Sequence, residues 1–141
     1  MSRDLLLDTL VVEALENFAF IDVMPQDAPA ETPEMKVCSV DIIAPIIATI
    51  RVAAPECMLR DVVQCIGAGM IDEGDEGAQT DALGEIANLL AGRYAAQRGE
   101  DGASVTLGLP NHHAHIDATK SYHYLTPCQS TMMVEFAALS D

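Results

Sequence analysis

Between Asp81 and Arg93 the chain reads DALGEIANLLAGR, and the groups in it best placed to do chemistry are Glu85 and Asn88, one turn apart in an otherwise largely apolar helical run. At about 100° per residue, Asn88 lies roughly 60° from Glu85 around a helix, with Asp81, Gly92 and Ala95 between or beside them. Leu83, Ile86, Ala87, Leu90 and Tyr94 fall on the opposite side as a continuous core face. The acid and the amide are therefore expected to point away from the core. With no His, Ser or Lys in the run, Glu85 is restricted to acting as a base or an ion-pair partner. Asn88 can only donate and accept hydrogen bonds, which suits it to positioning a water. Gly84 and Gly92 bracket the pair, and each costs a helix interior about 1 kcal/mol relative to Ala. Two accounts of that cost stay open: another helix packs closely at Gly92, or a partner surface approaches this face. A solvated Glu beside an exposed Asn is the plainest reading of the pair by itself.

Three other groupings have the right residue types. NHHAHID (111–117) supplies His112, His113 and His115, with His123 beyond. His113 and His115 share a side of any extended segment, which is a spacing open to a transition metal, although a polar loop or a dimer contact is the plainer reading and no metal site is assigned. MIDEGDEGAQT (70–80) is acidic, but its order lacks the alternation of a calcium loop, so a solvated loop is expected. Cys38, Cys57, Cys65 and Cys128 have no CxxC spacing and read as reduced, buried or partly buried thiols.

The elements that must carry these groups follow from periodicity. RDLLLDTLVVEALENF (3–18) is a helix with Ser2 available as its cap, and AFIDVM (19–24) has strand composition. The three prolines within 24–35 read as a loop. Residues 36–43 and 46–53 are rich in Val and Ile and form a hairpin turning at Ala44-Pro45. A short helix follows from Pro55 to Gly67, and the long one runs from about 77 or 80 to 98, ending at Gly99. Strands are expected at 103–109, near 119–126 and at 130–139. The order repeats, and superposing EALEN (13–17) on EIANL (85–89) sets Glu13 on Glu85 and Glu16 on Asn88, a weak internal duplication.

Composition narrows the function. The 141 residues are 50% hydrophobic but only 4% aromatic, so aliphatic side chains must build the core of an α-and-β domain. Seven basic against twenty-two acidic residues give a net charge of −15, which opposes nucleic acid and anionic membrane surfaces as partners. No apolar run approaches the roughly 20 residues that span a bilayer. With no signal-peptide pattern at the start, a soluble, cytoplasmic protein is expected.

Set on these elements, Asp81, Glu85, Asn88 and Gly92 resemble, position by position, the D-x-x-x-E-x-x-N signature and following small residue of the CheX/CheC family of chemotaxis phosphatases. The string D-A-L-G-E-I-A-N-x-x-A-G is similar nearly throughout, and SVTLGLP (104–110) resembles the family's strand ending in Leu-Pro. The resemblance implies an α+β fold with a CheC-like duplicated α-β-β-x-β arrangement, long helices packed on a mostly antiparallel sheet, and 1–141 as one CheX-like domain. It implies a phosphatase acting on the aspartyl phosphate of a CheY-type response regulator, in chemotaxis or a related two-component pathway. Glu85 and Asn88 would be its catalytic residues, Asn88 orienting the water and Glu85 pairing with the receiver's lysine. Asp81, Leu89 and Gly92 would complete the partner-binding face. Mg²⁺ would arrive with the receiver, leaving no cofactor or metal of the chain's own, and a homodimer is the expected assembly. The other reading within the same resemblance is a non-catalytic module that binds a receiver or a flagellar-switch component. Glu13 and Glu16, with Asn17 one position late, imply a single site, the CheX-like pattern. NHHAHID departs from the family, which more often has apolar residues and a glycine there.

Overall fold

The computed structural model describes residues 4–27, 34–100 and 102–138. In chain order the elements are α1 (Leu5–Ala19), β1 (Met24–Gln26), β2 (Met35–Ala44), β3 (Ala48–Pro55), α2 (Glu56–Ile66), α3 (Glu76–Arg98), β4 (Thr106–Leu107), a 3-10 turn (Ala118–Lys120), β5 (Tyr122–Leu125) and β6 (Thr131–Ala138). Local chemistry explains their limits. Asp4 caps α1 by accepting from the N–H groups of Leu6 and Leu7, and Phe20 ends it in the left-handed region at φ 55°. Ser2, the expected cap, lies outside the described residues. Pro55 closes β3 and caps α2, and Asp75 caps α3 through Ala78 N–H. The acidic segment 70–76 is thus turn and cap chemistry: Asp72 accepts from Gly74 N–H at 2.9 Å, and Glu73 pairs with Arg60 at 3.8 Å.

All strand pairs are antiparallel, and the sheet order is β1-β5-β6-β3-β2-β4. That order makes the duplication plain. If β1, β2 and β3 are equated with β4, β5 and β6, the order reads the same from either edge. Equivalent strands β3 and β6 pair at the centre, Val52 opposite Val134. Each half's short outer strand pairs with the other half's hairpin, β1 with β5 and β4 with β2. Pro25 is tolerated in β1 because an edge strand has N–H groups to spare. β4 is shorter than the strand expected over 103–109, since only Thr106 and Leu107 find ladder partners, Ala44 and Ile42.

One sheet face carries Cys38, Val40, Ile42, Ile50, Val52, Tyr124, Met132 and Val134 into a core shared with α1, α2 and α3. Tyr124 also donates to buried Asp8 of α1 at 2.9 Å. Burial pushes the Cys38 thiol up to about 11, so it stays protonated. The opposite face is polar: Thr49 donates to Asp41 at 2.8 Å, and Arg51 pairs with Glu135 at 3.2 Å. The segment after β4 is tied to this face, Asn111 exchanging backbone hydrogen bonds with Ser39 at 2.8 and 2.9 Å and Asp117 N–H donating to Glu135 at 3.4 Å.

The cysteine expectation is corrected. Cys57 and Cys128 form a disulfide, leaving Cys38 and Cys65 free. The two paired residues are 71 positions apart but only 6.2 Å between Cα atoms, because the start of α2 meets the β5–β6 turn, a proximity that local spacing does not encode. Among the described residues no helix is long and apolar enough to cross a membrane.

Candidate functional site

Helix α3 is the element that positions the candidate chemistry, and its burial follows the expected period. Leu83, Ile86, Ala87 and Leu90 are at most 1% exposed and Tyr94 6%. Tyr94 also stacks on Phe136 with ring centroids 4.9 Å apart, and Arg98 lies over the Tyr94 ring. The helix start is fixed from inside: buried Gln79 donates through Nε2 to the Glu73 carbonyl at 2.8 Å. With one face anchored, the other has no freedom to rotate inward. Asp81 and Glu85 are exposed, and Asn88 and Gly92 are half-buried beside them. Leu89 is half-buried against the core, forming the flank of the stripe.

Ala95, expected on this stripe, is fully buried. The exposed stripe thus stops at Gly92, and the helix ends at Gly99, which abuts Pro45 of the β2–β3 turn.

Among the described residues the side chains of Asp81, Glu85 and Asn88 make no hydrogen bond or ion pair. Asp81 and Glu85 are like charges at i,i+4, which costs a helix a few tenths of a kcal/mol. A cation brought by a partner would relieve that repulsion. A Cβ built at Gly92 meets nothing within 4 Å outside its own helix, so among the described residues no other helix packs on it. Gly84 behaves differently: a Cβ there would stand 3.5 Å from the His112 ring and 3.7 Å from Pro110, so the loop after β4 rests on the helix at this point.

The histidines divide. His112, His113 and His115 line an open cleft together with Met35, Lys36, Val37, Thr80 and Leu83. His123 is buried elsewhere, its Nε2 3.1 Å from the Ala118 carbonyl. Among the described residues no three His, Cys, Asp or Glu side chains converge as metal ligands. Lys36 and Thr80 were not singled out by sequence reasoning. The Ser39–Asn111 bridge brings β2 next to the histidine segment, and a long-range register has no local signature.

No family model matches the chain, and no curated protein matches it. Several solved structures do share its fold. CheX from Desulfovibrio desulfuricans is 23% identical, with a TM-score of 0.67 over 94% of this chain and 95% of that one. CheX from Vibrio vulnificus is 17% identical, with a TM-score of 0.68 over 93% and 92%. A chain of the CheX–CheY–BeF₃–Mg²⁺ complex from Borrelia burgdorferi is 12% identical, with a TM-score of 0.63 over 93% and 94%. The fold is therefore that of CheX and CheC-like proteins, three helices on a six-stranded antiparallel sheet.

Proposed function

We propose that this chain is a CheX-type protein phosphatase that hydrolyses the aspartyl phosphate of a CheY-type receiver domain. The observation that carries the reading is the solvent-facing stripe of α3, where Glu85 and Asn88 are unpartnered and Gly92 leaves the surface open. A similar fold found in a complex with CheY and BeF₃ supports the choice of partner.

An aspartyl phosphate is a mixed anhydride with a carboxylate leaving group, so hydrolysis asks mainly for an aligned water and neutralised charge. In this reading α3 lies across the receiver's phosphorylated aspartate. The Asn88 amide holds a water opposite the aspartyl oxygen. The water oxygen bonds to phosphorus as the bond to that oxygen breaks, returning a free carboxylate and releasing inorganic phosphate. Glu85 pairs with a receiver lysine, which relieves its repulsion with Asp81 and fixes the helix in register. Mg²⁺ comes with the receiver and neutralises the phosphoryl oxygens there. A homodimer and a cytoplasmic location belong to the same reading.

The test is loss of phosphate from a purified, phosphorylated CheY-type receiver. Wild-type protein accelerates it, and Asn88→Ala reduces the acceleration at least about 100-fold, the scale of losing one positioning group. The circular dichroism spectrum stays unchanged, because the Asn88 side chain supports nothing internal. Equal rates with wild-type and Asn88→Ala protein would sink the proposal. Tight binding of the phosphorylated receiver without turnover would establish the non-catalytic module instead.

A further inference from the structure

Seven Lys or Arg and four His are the whole side-chain cationic capacity of a chain that carries twenty-two acids. Lys36, His112, His113 and His115 line one cleft. None of these four side chains makes an ion pair or hydrogen bond among the described residues. Among the described residues Arg51 and Arg60 are each paired with a carboxylate, whereas Lys36 keeps its charge available to a partner, and the histidine rings beside it offer ring N–H donors.

The cleft also lies beside the candidate site. Thr80 and Leu83 of α3 form one wall, and the His112 ring sits against Gly84. On the helix, Gly84 is about 40° around from Asn88 and about 6 Å before it along the axis. The cleft therefore opens on the Gly84 side of α3, about 40° around the helix from Asn88.

We infer that this cleft is a second contact for the phosphorylated receiver, taking the carboxylates that surround its phosphoaspartate. The inference rests on the phosphatase reading and extends it. A receiver site that holds a phosphoryl group and Mg²⁺ is rich in anionic oxygens, and α3 approaches it with two carboxylates of its own. Glu85 has a lysine to meet; Asp81 and the net charge of −15 are left repulsive. Lys36 supplies the complementary charge and the histidine rings supply hydrogen-bond donors, a contact that acts on encounter rate and register more than on the chemical step.

The experiment measures kcat and KM for a CheY-type receiver phosphorylated with acetyl phosphate, and binding of the same receiver activated with beryllofluoride and Mg²⁺. The double variant Lys36→Ala/His112→Ala is expected to raise KM about tenfold with kcat unchanged, and the gap should narrow as salt is raised, the signature of a steering contact. Lys36→Arg keeps the wild-type KM. Asn88→Ala gives the opposite split, losing kcat while retaining binding. A double variant with wild-type KM, or a Lys36→Arg variant as weakened as Lys36→Ala, overturns the cleft assignment and leaves the phosphatase reading standing. Wild-type protein that neither binds nor turns over any receiver encoded in its genome overturns both.

Discussion

Replacing Gly92 with Ala should stabilise the fold and impair the function, and the two effects come from separate parts of the structure. Gly92 lies inside the 23-residue helix α3, and among the described residues no atom outside that helix comes within 4 Å of a methyl group built on it. Backbone propensity alone then governs stability, and Ala gains about 1 kcal/mol over Gly. For a domain of this size that raises Tm by about 3 °C. The same methyl group stands on the face that meets the receiver in the proposed function. If that contact is as close as the missing side chain implies, an added methyl costs about 1–3 kcal/mol of overpacking. That corresponds to a rise in KM of roughly five- to a hundredfold. Thermal unfolding by circular dichroism and phosphate release from a phosphorylated receiver read the two effects independently. A higher Tm with unchanged KM would refute the docking role of Gly92; a lower Tm would refute the claim that its surroundings are empty.

Gly99→Ala should act in the opposite sense, because its Cβ runs into the Pro45 ring, and the urea midpoint should fall by the equivalent of about 1–3 kcal/mol with the m-value unchanged. Reducing the Cys57–Cys128 disulfide, which spans 71 residues, should cost up to about 4 kcal/mol by loop entropy, read from urea curves with and without dithiothreitol; identical curves would mean that the thiols are not paired in solution. Introducing Glu16→Asn into the Asn88→Ala variant, which recreates an acid–amide pair on α1, should restore no receiver phosphatase activity, and measurable turnover would show that α1 can dock.

What was legible in the sequence was whatever a local period encodes. The buried face of α3 follows from 3.6-residue spacing, and the hairpin of β2 and β3 from its β-branched runs around Ala44-Pro45. Glu85 and Asp81 were readable as exposed, with the half-buried Asn88 beside them, because the opposite face was so completely apolar. What was not legible depends on pairings across the chain. Cys57 meets Cys128, and Lys36 comes to line one cleft with His112, only after the sheet has ordered its strands. Ala95 has the helical phase of the exposed stripe and is buried all the same, as part of the core cluster, which helical phase alone does not encode. The duplication shows the same limit: five residues of weak similarity hinted at it, while the sheet order displays it in full.

That duplication poses the question of why only one half would carry the proposed chemistry. Continuing the superposition of EALEN on EIANL along both helices sets Thr9 on Asp81, Glu13 on Glu85, Glu16 on Asn88 and Phe20 on Gly92. Glu13 and Glu16 are exposed, so α1 has a solvent-facing stripe in the equivalent place. Its chemistry is wrong for the reaction proposed for α3. A carboxylate at Glu16 would repel the phosphoryl oxygens that an amide tolerates, and Thr9 turns its hydroxyl back to the Leu5 carbonyl at 2.9 Å. Where α3 keeps Gly92 clear and continues to Arg98, α1 stops at Ala19 and projects Phe20, 81% exposed, from a left-handed turn. A flat partner surface that could lie along α3 would strike that ring first. The polar side chain that α1 does commit is Asp8, which turns inward to Tyr124 and ties the helix to β5. The two halves thus share a backbone plan but divide the work, α1 bracing the sheet so that α3 can hold a polar, open face in a fixed position.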